Sequence, residues 1–162
     1  MKNSLLNSLP ALLPGAYEFA EKHEAIILAQ GEPLSPALVE DARRAHVMHP
    51  EKIRIVYVVS LPEPQNGEMM FVAKHMGLFQ PRSIGLTFGH GIYLRLDCRE
   101  NRQMIVHECV HIGQYERLGG IRPFLDMYLR ECIEPGYPFG ALEQEAILVS
   151  REICKSDPEA KV

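Results

Sequence analysis

The apolar positions of this chain change period along its length, and each change marks an element. Between residues 16 and 30 (AYEFAEKHEAIILAQ), Tyr17, Phe19, Ala20, Ile26, Ile27 and Leu28 stand among charges at helical spacing. Gly31 and Pro33 close that segment. Ser35 followed by Pro36 is an N-cap and first-turn signal, which predicts a second helix through about Met48, ended by Pro50. Residues 53–59 (IRIVYVV) are β-branched and aromatic and predict a strand. The run 61–67 (LPEPQNG) predicts a loop, and 69–80 fits helix and strand equally. In 84–97 (IGLTFGHGIYLRLD) two short apolar runs flank Gly89-His90-Gly91, the pattern of a β-hairpin. Its second strand predicts Ile92, Leu94 and Leu96 facing inward, with Tyr93, Arg95 and Asp97 facing outward.

From Asn101 the period is helical. Ile105, Val106, Cys109, Val110 and Ile112 form one apolar face, and Gly119-Gly120 stops the helix. A further helix fits 122–133, the loop 134–140 (EPGYPFG) follows, and a last helix covers about 141–155. Helices, a few strands, then helices again predict an α+β fold. The first fifteen residues (MKNSLLNSLPALLPG) make a poor export signal, because Asn7, Ser8 and Pro10 interrupt a short apolar stretch. They read instead as an arm packed on the domain, with Pro10 and Pro14 breaking any helix there.

A length of 162 residues predicts a single domain over 1–162. Its parts are N-terminal helices and a strand in 1–80, then hairpin and helices in 84–155. With 46% hydrophobic and 23% charged residues, whole-chain disorder and coiled coil are excluded. The net charge of −4 comes without a basic stripe, so no nucleic-acid partner is expected. No run approaches the ~18 apolar residues of a membrane span, and the mean hydropathy of −0.10 agrees, so no membrane partner is expected either. Cys98, Cys109, Cys132 and Cys154 are widely spaced with no CxxC. They read as reduced cysteines of a cytoplasmic protein.

The chemistry centres on His107-Glu108-Cys109-Val110-His111, an HExxH sequence. Residues four apart on a helix differ by about 400°, so both imidazoles fall within ~40° of one face and can bind one metal ion. Glu108 is turned ~100° from His107, beside such an ion, where a carboxylate can act as general base toward a metal-activated water. With 7 His in 162 residues, composition alone expects roughly 0.03 such matches. The motif also lies in a helical pattern whose ligands are off the apolar face. Catalytic zinc takes three protein ligands and an open position. No histidine follows His111, so the third ligand must be a carboxylate or a cysteine. Glu143 and Glu145, opening the last helix, are the best source. They are ~200° apart on a helix, so only one of them can face the metal.

Taken together, His107–His111, Gln114, Gly119-Gly120 and Glu143-Gln144-Glu145-Ala146 resemble the small gluzincin-type zinc metallopeptidases over about residues 84–150. The resemblance implies a zincin-like fold: a small mixed or antiparallel sheet, an HExxH helix and a C-terminal helix donating a glutamate. It also places the 84–97 hairpin beside the substrate cleft. Related families write the glutamate helix as Glu-x-x-x-Asp. That alignment favours Glu143 as ligand over Glu145 and puts Ile147 where a supporting Asp is usual. The implied function is hydrolysis of peptide bonds by a zinc-activated water. Zn²⁺ would be held by His107, His111 and Glu143, Glu108 would act as base, and a peptide or protein would be the substrate. The missing Asp leaves a second class open, a zincin-like metal- or partner-binding module with weak or no turnover. A third is an interaction protein with no metal. Secondary candidates are His90 at the hairpin tip and Tyr115, Tyr128 or Tyr137 as oxyanion donors. Cys109 is expected in the core, and His23, His46, His49 and His75 on the surface.

Overall fold

The computed structural model of the chain describes residues 2–157. Met1 and residues 158–162, which the predicted domain includes, lie outside the described residues. The fold is α+β, with six helices and one small mixed sheet among the described residues. The β-branched run yields β2 (Arg54–Val58), and the predicted hairpin yields β3 (Gly85–Phe88) and β4 (Gly91–Arg95). A two-residue β1 (Glu32–Pro33) completes a sheet of order β1-β2-β4-β3. β2 and β4 are parallel, with Ile55 opposite Ile92, while β3 and β4 are antiparallel, with Leu86 opposite Tyr93.

Both faces of the sheet are covered. Ile55, Ile92 and Leu94 pack on α2 (Pro36–Arg44), α4 (Arg102–Leu118) and α6 (Ala141–Ser156), through Leu38, Ile105, Val106, Cys109, Ile112 and Ala146. Each such buried aliphatic side chain contributes on the order of 1.5–3 kcal/mol relative to exposure. Tyr93 lies on the opposite face with Ala20 and Ile27 of α1 (Lys2–Gln30) and Phe124 of α5 (Ile121–Glu131). The predicted outward position of Tyr93 is therefore corrected. A helix seals the second face, and Leu96, beyond the end of the strand, is the exposed one. His23 is also corrected: its ring packs among Phe19, Phe88 and Tyr93 and meets the Tyr93 hydroxyl at 3.0 Å. His46, His49 and His75 are exposed as expected.

The N-terminal arm is helical. α1 runs unbroken through Pro10 and Pro14, both on its exposed side. Each interior proline costs a helix about 3 kcal/mol. Against that cost, Leu9 is buried on Val72, Met76, Cys132 and Ile133, with Leu5, Leu6, Leu12 and Leu13 packed around it. The ambiguous 69–80 segment is helical in its first half: α3 (Gly67–His75) starts at the last residue of the predicted loop and is capped by the Asn66 side chain accepting from the Met69 N–H at 3.0 Å. α2 stops at Arg44, short of the predicted Met48, and His46 adopts a left-handed φ of 66°. No helix among the described residues is long and apolar enough to cross a membrane. All four cysteines are free, and burial pushes the Cys109 and Cys132 thiols far above their usual range.

Candidate metal centre

α4 begins at Asn101, whose side chain accepts from the Met104 N–H at 3.0 Å, and ends at Gly119 with a left-handed φ of 99°. Between these caps one face of α4 is core, so the register of His107 and His111 is fixed by Ile105, Val106, Cys109 and Ile112, each fully buried. The two histidine Nε2 atoms come within 3.2 Å of each other. α6 packs along α4 and brings the Glu143 carboxylate to both: Oε1 is 3.3 Å from His107 Nε2, and Oε2 is 3.4 Å from His111 Nε2. Donors surrounding one tetrahedral ion at ~2.0–2.1 Å would be separated by about 3.3 Å. The three side chains therefore fit a divalent cation in both spacing and donor type, two imidazoles and a carboxylate.

A buried polar chain behind His111 fixes its tautomer. The Gln114 amide nitrogen donates to Leu142 O at 2.8 Å and to Glu145 Oε2 at 2.9 Å. Gln114 must then turn its oxygen to His111 Nδ1, 2.8 Å away, so Nδ1 carries a proton and donates. The Nε2 lone pair is left to face the cluster. Glu145 is itself held by Arg117 at 2.8 and 3.0 Å. The two glutamates are thus divided, as their ~200° separation on a helix requires. Glu143 is at the cluster, and Glu145 stands one residue behind it. Ile147, at the position of the expected Asp, lines the cleft in front of the cluster. Gln114 and Glu145 support His111, while His107, the histidine that Asp was expected to orient, has no hydrogen-bond partner for its Nδ1 among the described residues.

Burial alone would raise the Glu143 carboxyl, but the His107 and His111 nitrogens beside it hold it well below the usual carboxylate range. Burial opposes charge on His111, yet Glu143, Glu108 and Gln114 raise it above the ordinary histidine value. The Tyr128 hydroxyl donates to Glu143 Oε2 at 2.9 Å, and burial keeps that phenol protonated.

Glu108 is nearly buried and stands beside the cluster without joining it. The Thr87 hydroxyl, on β3, donates to its Oε2 at 2.5 Å. A Cβ at Gly85 would lie 2.4 Å from its Oε1, so any side chain there would push this carboxylate out of its present position. Thr87 and Gly85 carried no motif, because their role depends on which face of the hairpin meets α4. Of the tyrosine candidates, Tyr115 is committed to Thr87 O at 2.9 Å and Tyr128 to Glu143. Tyr137 lines the cleft with no hydrogen-bond partner for its hydroxyl among the described residues. Burial, with the Glu143 and Glu108 carboxylates near, pushes that hydroxyl up to about 12. His90 does not face the cleft. Its Nε2 meets Glu116 Oε1 at 2.9 Å, and its backbone N–H donates to Glu24, pinning the hairpin tip to α4 and α1.

His107, Glu108, His111 and Glu143 open into one cleft of about 640 Å³. No protein-family model, curated protein or solved structure matches the chain.

Proposed function

We propose that this chain is a zinc-dependent peptidase of the gluzincin type, with His107, His111 and Glu143 as ligands and Glu108 as general base. The observation that carries the reading is the division of labour among four side chains. Three donors converge at 3.2–3.4 Å, and a second carboxylate stands apart on the same cleft wall. When bound, a zinc ion supplies Lewis acidity, lowering the pKa of a water and polarising a carbonyl. Glu108 takes the proton of the attacking water and returns it to the leaving amine. Thr87 fixes the rotamer of Glu108, and Gln114 that of His111. The Tyr137 hydroxyl, protonated and uncommitted, is the donor available to a developing oxyanion.

β3 is an edge strand, hydrogen-bonded to β4 alone. Arg95 N–H bonds to Ile84 O, so the alternation of the ladder turns the Gly85 and Thr87 backbone groups away from β4. Tyr115 takes the Thr87 carbonyl. The remaining groups can pair with an extended peptide passing the cluster. The Asp missing at 147 would have supported His107, whose Nδ1 has no partner among the described residues, so a module that binds metal without turnover is the second reading.

The test is Glu108→Gln. The substituted protein should keep its zinc and lose turnover on a peptide library by about 10²–10⁴-fold. Zinc lost from this variant would reassign Glu108 as a ligand, and unchanged turnover would remove it from the chemistry.

A further inference from the structure

The cleft is built from two unlike walls. One carries the chemistry: α4, α6 and β3 contribute His107, Glu108, His111, Glu143 and Thr87. The other is made by α1 and α3, and every residue these two helices contribute to the lining is apolar, among them Leu12, Ala16, Phe19 and Met69, as is Met76 just beyond the end of α3. The cations on the lining, Arg82 and Arg151, are solvent-exposed and belong to neither helix. The volume of about 640 Å³ is within the range of sites that enclose a whole small ligand, so it exceeds what one side chain needs.

Such a wall selects. A charged side chain seated against α1 and α3 would lose its water with no partner in return, which is costly. A bulky apolar one loses only unfavourable hydration, and the two methionines adapt to its shape. We infer that the substrate is a peptide carrying large apolar side chains (Leu, Met or Phe) next to the scissile bond, and that α1 and α3 form the wall that selects them. This rests on the peptidase reading for the bond that is cut, but not for the selection itself, which binding alone can measure.

The experiment uses two peptides of equal length, one with Phe-Leu at its centre and the other with Asp-Lys. Cleavage is measured on the zinc-loaded chain, and binding by fluorescence anisotropy on zinc-loaded Glu108→Gln. The apolar peptide should bind and be cleaved at least about tenfold better. Met69→Lys should remove most of that preference with zinc content unchanged. Phe71→Lys, on the exposed side of α3 away from the lining, should leave it intact and controls for damage to the helix. Ala16→Trp, which fills the cleft from α1, should weaken the apolar peptide in the same way if Met69→Lys fails to fold. Equal cleavage of both peptides would overturn the apolar selection and leave the peptidase standing. Selective binding without any cleavage by wild type would uphold the selection and overturn the peptidase. Equal binding or none to Glu108→Gln would overturn the selection outright.

Discussion

The two walls of the cleft are stabilised by different means. On the α4–α6 side the side chains form a chain of directional contacts. Arg117 holds Glu145, Glu145 and Leu142 O hold Gln114, Gln114 holds His111, and Tyr128 holds Glu143. No buried side-chain nitrogen or oxygen is left without a partner among the described residues. On the α1–α3 side the described residues make no such contacts facing the cleft, only apolar packing around Leu9, Val72 and Met76. A metal centre needs donors fixed to within a fraction of an ångström, and hydrogen bonds supply that precision. A wall that accepts apolar groups needs shape and dryness, which aliphatic and thioether side chains supply while staying adaptable. The difference assigns chemistry to one wall and selection to the other.

The sharpest way to break that assignment is to cut into the directional wall. Glu143→Ala should reduce zinc affinity to that of an open two-histidine site, which does not hold the ion at micromolar metal, read by titration against a competing chelator. Gln114→Leu touches no metal in this account and leaves His111 unoriented. It should weaken zinc by about 10–100-fold, the usual cost of losing such a support. Glu145→Ala acts one step further back, through Gln114 and Arg117, and should cost less than Gln114→Leu. The reverse ranking of Glu143 and Glu145 would move the ligand.

A smaller and graded effect comes from pH. Glu143, Glu108 and Gln114 raise the His111 pKa, so before zinc binds, its second proton should persist to higher pH than on an ordinary histidine. Zinc must displace that proton. Apparent affinity should therefore rise with pH and level off above the raised His111 value. Below it, affinity should fall about tenfold per pH unit for each proton displaced. In Glu143→Gln, which removes the carboxylate that raises His111, the levelling should move to lower pH. Zinc affinity that is flat between pH 5 and 8 would separate His111 from the metal.

Much of the directional wall was legible in the sequence, because HExxH is a local pattern. Helical spacing alone aligns His107 with His111 and turns Glu108 aside. The choice between Glu143 and Glu145 was harder. It depends on how α6 rolls against α4, which Ala146 and Ile153 decide by burying in the core. Thr87 and Gly85 were not legible, since a β-strand residue reaches Glu108 only through tertiary packing. The apolar wall was the least legible. Pro10 and Pro14 argue locally against a helix, and only the burial of Leu9 and its neighbours on α3 overrides them. Tyr93 went astray for the same reason: the alternation of one strand cannot report that α1 covers its second face.

The central claim is that His107, His111 and Glu143 hold one divalent ion. It is tested most directly by elemental analysis of the purified chain beside His107→Ala and His111→Ala, with circular dichroism to establish that each variant is folded. The account predicts about one zinc per chain in the wild type and none in either folded variant. Absence of metal from the wild type after zinc addition, or a full complement of zinc in a folded histidine variant, would contradict it.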